Sequence, residues 1–226
     1  MRIRVWDLPT RIFHWALVAC VIAAFVTAKV GGPVMVWHGR IGLTILGLLV
    51  FRIVWGFVGS TYARFGTFIR GPAAVLATLK NGWDGAGHNP LGALSVLAML
   101  GVLCLMVGVG LFSNDDIAFE GPLYSLVGKG ASDRLTRFHH LGEKLIMVLV
   151  VLHVAAIAFY ARVKRRNLVK PMLTGTDDLP AGVSARGGGP VAFVLALLIA
   201  ASAVYAASGA LLPPPPPPAS GAVPDF

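Results

Sequence analysis

Apolar residues in this chain gather into five long runs: Ile12–Val30, Ile41–Gly59, Leu91–Phe112, Leu141–Tyr160 and Val191–Leu212. A helix needs roughly 20 apolar residues to cross about 30 Å of hydrocarbon, and each run is of that order. Helix is the form to expect, because a lone strand in lipid leaves its backbone N–H and C=O groups unpaired. The pattern predicts an all-α membrane protein with five spans.

Composition agrees. The chain has 226 residues, 56% of them hydrophobic and only 13% charged. A soluble domain cannot hide so much apolar surface. Arg2, Arg4 and Arg11 precede the first run, and Val26-Thr27-Ala28 resembles a signal-peptidase site. More spans follow, so the first run is expected to be a retained helix.

Charge then sets a topology. With the N-terminus inside, inner segments carry Arg2, Arg4, Arg11, Arg64, Arg70, Lys80, Arg162, Lys164, Arg165, Arg166, Lys170 and Arg186. Outer segments carry only Lys29, Arg40, Lys129, Arg134 and Arg137. Lys and Arg stay on the cytoplasmic side, so the N-terminus is expected in the cytoplasm and the C-terminus outside. The net charge of +9 is thus a topology signal, with Arg162–Arg166 meeting anionic membrane lipid. No nucleic-acid partner is expected.

Residues 1–175 form one unit of four spans. Residues 176–189 are rich in Gly, Pro and Asp and look like a linker. The fifth span, within residues 190–212, has Ser202, Tyr205 and Ser208 as its few polar side chains and looks like a peripheral anchor facing lipid. Pro190 suits a first helical turn, where its missing N–H costs nothing. Residues 213–226 begin with six prolines, Pro213–Pro218, expected to form an extended polyproline II spacer of roughly 19 Å. The remaining Ala219–Phe226 look disordered and, with the spacer, periplasmic. Cys20 and Cys104 lie in spans outside any Cys-x-x-Cys-His motif, so covalent haem is excluded and both are expected to be small buried hydrophobes.

The chemistry rests on histidine. Ionisable residues in spans are expensive and by default mark function; the alternative for any one of them is a satisfied interhelical hydrogen-bond donor. His139 and His153 on the fourth span are 14 residues apart. That is roughly 40° short of four turns, so they share a face, about 21 Å apart along the axis. His140 and His153 fall about 140° out of line. On antiparallel spans, His14 lies level with His153, and His38 with His139. Two pairs at two depths suit the axial ligands of two stacked haem irons. Gly39, Gly42, Gly47 and Gly56 on or beside the second span, and Gly92, Gly101, Gly108 and Gly110 on the third, allow close approach of a flat macrocycle or ordinary helix packing. Arg52 follows His38 by 14 residues and shares its face. It can meet an inner haem propionate or snorkel to headgroups; Arg11, one turn before His14, is a weaker propionate candidate.

These residues carry a resemblance. Val5-Trp6-Asp7-Leu8-Pro9-Thr10-Arg11-Ile12-Phe13-His14-Trp15 is similar to the opening of bacterial cytochromes b561, a group that includes the cytochrome b subunits of nickel–iron hydrogenases. The run from His38-Gly39-Arg40 to Arg52-Ile53-Val54-Trp55-Gly56-Phe57 resembles the family's second helix, Gly87-His88-Asn89-Pro90-Leu91-Gly92 the entry to its third, and His139 with His153 its fourth. The resemblance covers about residues 3–175. It implies a transmembrane four-helix bundle in a bacterial inner membrane, holding two non-covalent haems b and relaying electrons between quinone and a redox partner. It also implies iron-ligand roles for His14, His38, His139 and His153. His140 beside the expected ligand, the fifth helix and the proline tail depart from the family pattern.

With four ligands assigned, His88 and Asn89 are candidates for a quinone site, or else a solvated imidazole and a helix cap. Asp115, Asp116 and Glu120 in an outer loop are candidates for docking a basic periplasmic carrier, or simply a solvated loop. The leading expectation is a di-haem conduit between quinone and a periplasmic cytochrome c or dehydrogenase subunit. The alternatives are a superoxide-oxidising quinone reductase and a non-redox metal-transfer or assembly protein.

Overall fold

The structure is a computed structural model that describes residues 1–83, 85–179 and 182–213. In chain order the elements are β1 (Arg2–Arg4), α1 (Leu8–Val30), α2 (Met35–Val58), α3 (Phe65–Phe68), α4 (Pro72–Asn81), α5 (Pro90–Gly110), α6 (Lys129–Arg162), α7 (Val169–Thr174), β2 (Thr176–Asp178) and α8 (Pro190–Ala207). Helices α1, α2, α5, α6 and α8 are long and apolar enough to cross a membrane. The run from Pro214 to Pro218 and the end from Ala219 to Phe226 lie outside the described residues.

Local chemistry starts and stops these helices. Asp7 caps α1, its Oδ1 accepting from the Thr10 N–H at 2.7 Å, with Pro9 in the first turn. Gly31 and Gly32, at φ 67° and 54°, make the tight turn that reverses the chain into α2. Asn89 caps α5 in the same way as Asp7 caps α1. Helix α6 starts at Lys129, well before its apolar run, and its polar first turns pack on the loop after α5, Ser132 Oγ donating to Phe112 O at 2.7 Å.

Helix α2 is central: α1, α5 and α8 all pack on it, and α6 packs on α5. The core along it includes Ile45, Leu49, Phe51 and Trp55. The fifth span is peripheral but not loosely so. Ala196 and Ala200 are buried against the bundle, and Val204 reaches Gly47, whose Cβ would lie 3.0 Å from Val204 Cγ2. Small residues spaced in this way let two helix backbones approach closely. Its other face, with Leu195, Leu198 and Ile199, is exposed, as a lipid-facing surface should be.

The end carrying the N-terminus, which the charges assign to the cytoplasm, is called the inner end. Here β1 pairs antiparallel with β2, Arg2 opposite Asp178 and Arg4 opposite Thr176. The stretch expected to be a linker thus contributes a strand. Ile3, Val5, Trp6 and Leu179 form a second small core beneath the pair. The chain after β2 continues as a strap: Ala185 N–H donates to Arg4 O at 2.7 Å, and Tyr62 Oη donates to Val183 O at 2.6 Å.

Candidate functional site

At the outer end, His38 on α2 faces His139 on α6, with ring centroids 6.0 Å apart and planes at 81°. His38 Nδ1 lies 3.0 Å from Ala24 O on α1, and His139 Nδ1 lies 2.9 Å from Met106 O on α5. A carbonyl can only accept, so both Nδ1 atoms are the protonated nitrogens and both Nε2 lone pairs are free. This is the arrangement of metal-ligating imidazoles, in which a bond at one nitrogen fixes the tautomer and raises the basicity of the other. Two nitrogen–metal bonds of about 2 Å, plus the inner half of each ring, require centroids about 6 Å apart. The spacing fits an iron between them.

Beside the pair lies a cavity of about 320 Å³, bounded by α1, α2, α5, α6 and the loop after α5. The glycines divide by role. Gly39 and Gly42 line this cavity, and a Cβ on Gly42 would meet nothing within 4 Å. A Cβ on Gly110 would lie 3.1 Å from His139 Cε1, so glycine there leaves room for the imidazole. Gly47 instead receives α8, and Gly56 lies against the Phe65 ring. His140 is exposed, with its Nδ1 3.9 Å from Glu143 Oε2; Glu143 also takes Lys29 Nζ at 2.8 Å.

At the inner end, His14 and His153 sit within electrostatic reach of one another. His14 Nδ1 is buried without a hydrogen-bond partner among the described residues. Asp7 joins α1 to α2 here: its Oδ2 accepts from Trp55 Nε1 at 3.0 Å while its Oδ1 caps α1. Sequence reasoning missed this link, although Asp7 two residues before Pro9 is a legible helix-start signal. Arg52 is 3% exposed, and its Nη1 donates to Ala63 O at 3.1 Å. Its guanidinium also stacks over the Phe65 ring at 5.0 Å. Arg11 instead reaches α7, where it donates to Leu173 O.

His88 is packed between Trp6 and Phe68, at ring-centroid distances of 4.7 and 4.9 Å. Its Nδ1 is buried and without a partner among the described residues. Burial, with the Arg52 charge close by, pushes its pKa down to about 3, so the ring is neutral at physiological pH. Asn89 is engaged on both sides: Oδ1 accepts from Gly92 N–H at 2.6 Å, and Nδ2 donates to Tyr160 Oη.

The outer loop folds over the cavity. Asp115 Oδ1 accepts from the N–H groups of Ile117, Ala118 and Phe119. Desolvation pushes the Asp115 carboxyl up, but these backbone donors together hold it below its ordinary value. Asp116 pairs with Lys129, which also bridges to Asp133. Glu120 faces Asn114 across an isolated antiparallel bridge. The Phe119 ring covers Gly39, whose Cβ would lie 2.9 Å from it. Two of the three acidic candidates are therefore engaged within the loop and its neighbour helix.

Comparison with known proteins bears on what this arrangement holds. A profile of the prokaryotic cytochrome b561 family matches residues 5–175. A probable Ni/Fe-hydrogenase B-type cytochrome subunit of Azotobacter chroococcum mcd 1 is 25% identical, over 78% of this chain and 90% of that protein. A probable Ni/Fe-hydrogenase 1 B-type cytochrome subunit of Escherichia coli (strain K12) is 26% identical, over 66% of this chain and 80% of that protein. No solved structure matches the chain significantly. The family match runs from just before α1 to just after α7 and leaves α8 outside it. The chain belongs to the prokaryotic cytochrome b561 family, multi-pass membrane b-type cytochromes whose character implies haem b and electron transfer.

Proposed function

We propose that this chain holds two haems b and conducts electrons across a bacterial inner membrane, between the quinone pool and a redox partner on the outer side. His38 and His139 are the ligands of the outer haem, and His14 and His153 those of the inner one. The observation that carries this is the outer pair: two imidazoles 6.0 Å apart, both Nδ1 atoms bonded to helix carbonyls, beside a cavity. The spacing of His139 and His153 on α6 then supports a second pair about 21 Å deeper. When bound, haem supplies a one-electron iron couple. The carbonyls of Ala24 and Met106 orient the outer imidazoles and increase their basicity. Phe119 and the loop around it limit water at the outer site.

The inner end lies beneath the β1–β2 cap, so quinone reaches it laterally from the bilayer. The outer partner is a periplasmic cytochrome c or a dehydrogenase-like subunit; the hydrogenase named in the relatives makes a hydrogenase-like subunit one such class. Lysine and arginine asymmetry supports a cytoplasmic N-terminus and a periplasmic C-terminus.

Haem content of purified single-histidine variants tests the ligand set. His38→Ala and His139→Ala should each lose the outer haem and keep the inner one; His14→Ala and His153→Ala should do the reverse. His140→Ala should keep both. Loss of the outer haem in His140→Ala but not in His139→Ala would transfer the ligand role. Loss of both haems from a folded single variant would contradict independent pairs.

A further inference from the structure

We infer that Arg52 and His88 together form a buried carboxylate-binding site at the inner end, and that it takes a propionate of the inner haem. This rests on the two-haem reading above, and it makes His88 a positioning residue for that cofactor instead of a quinone contact.

Arg52 is almost wholly buried, yet one hydrogen bond, to Ala63 O, is what its guanidinium makes among the described residues. A guanidinium carries five N–H donors, and leaving a buried cation without an anion is costly. It forms no ion pair among the described residues. Asp7 is the carboxylate whose charge reaches it, and both Asp7 oxygens already accept hydrogen bonds, from Thr10 and Trp55.

His88 adds the second, independent observation. Its Nδ1 is buried and unpartnered, while its ring is fixed between Trp6 and Phe68. Phe68, on which His88 packs, meets Phe65 at 5.8 Å, and Phe65 is the ring that the Arg52 guanidinium lies over. The charges of Arg52, His14 and His153 all bear on His88. An under-satisfied guanidinium and an unpartnered imidazole nitrogen therefore lie near His14 and His153. An acceptor with negative charge answers both when His88 Nδ1 carries the ring proton. A carboxylate meets both needs, and a planar guanidinium matches it with two parallel bonds. A quinone carbonyl is neutral and would leave Arg52 with only the charge of Asp7, whose two oxygens are already engaged. The propionates of a haem held between His14 and His153 are carboxylates at this depth.

A hydrogen bond to a propionate reduces the negative charge facing the iron and so favours the reduced state. The test is a redox titration of the full-length protein in detergent, with haem content measured on the same samples. His88→Ala should keep both haems, lower the inner midpoint potential and leave the outer one in place. His88→Gln, which keeps an N–H donor, should recover most of the shift and also serves if the alanine variant fails to fold. Arg52→Ala should lose the inner haem, and Arg52→Lys should retain part of it. Infrared redox-difference spectra should show a propionate carboxylate band that moves in His88→Ala. An unmoved inner potential and carboxylate band, with a raised KM for quinol, would overturn the inference and return His88 to quinone binding. A wild-type protein lacking the inner haem would instead sink the two-haem reading itself.

Discussion

At the outer end, His38 and His139 are each tied through Nδ1 to a helix carbonyl beside a cavity. At the inner end, His14 Nδ1 has no partner among the described residues, and Trp6, part of the small core at the strand pair, packs on His88. The outer site is set by secondary structure, because helix carbonyls hold its ligands. The inner site is set by tertiary structure: the Asp7–Trp55 link, the cap and the buried Arg52. On the proposed function, the outer end would meet a soluble protein and the inner end a lipid-borne molecule.

The comparison can be broken from either side. Filling the outer cavity should have the largest effect. Gly42→Phe meets open space at Cβ, so the bundle should fold while the outer haem is lost and the inner one stays; haem content of the purified variant decides this. Opening the inner cap comes next. Trp6 is buried against the cap core and His88, and Trp6→Ala should cost about 3–5 kcal/mol, read as a lower unfolding temperature. It should also admit water-soluble oxidants to the inner haem, measurable as faster oxidation of that haem alone. Ala196→Leu should strain the α2–α8 contact by about 1–3 kcal/mol while haem content stays intact, because the residues lining the cavity beside His38 and His139 include none from α8. The smallest effect belongs to Asp116→Asn. That exposed ion pair with Lys129 should alter neither unfolding temperature nor haem content, since surface pairs contribute little.

The spans were legible because hydropathy over a bilayer-length window is a strong local signal. The partnership of His139 with His38 was legible too, from helical periodicity and depth alone. The cap was not. Strands of three residues at positions 2–4 and 176–178 have no local pattern, and only the closed bundle brings them together. The polar first turns of α6 were hidden because residues such as Asp133 and Arg134 lie before its apolar run yet already belong to the helix. The packing of α8 had a readable signal, Ala196 and Ala200 four residues apart, but a mostly apolar helix looks like a lipid anchor until its partner is known. Asn89, read from the sequence as a quinone candidate or a helix cap, does cap α5.

The most direct test of the central claim is a pyridine haemochrome assay on purified wild-type protein, combined with a reduced-minus-oxidised spectrum. The account predicts two haems b per chain, both six-coordinate with histidine on each side. A folded protein holding a single haem, or none despite an adequate cofactor supply, would contradict it.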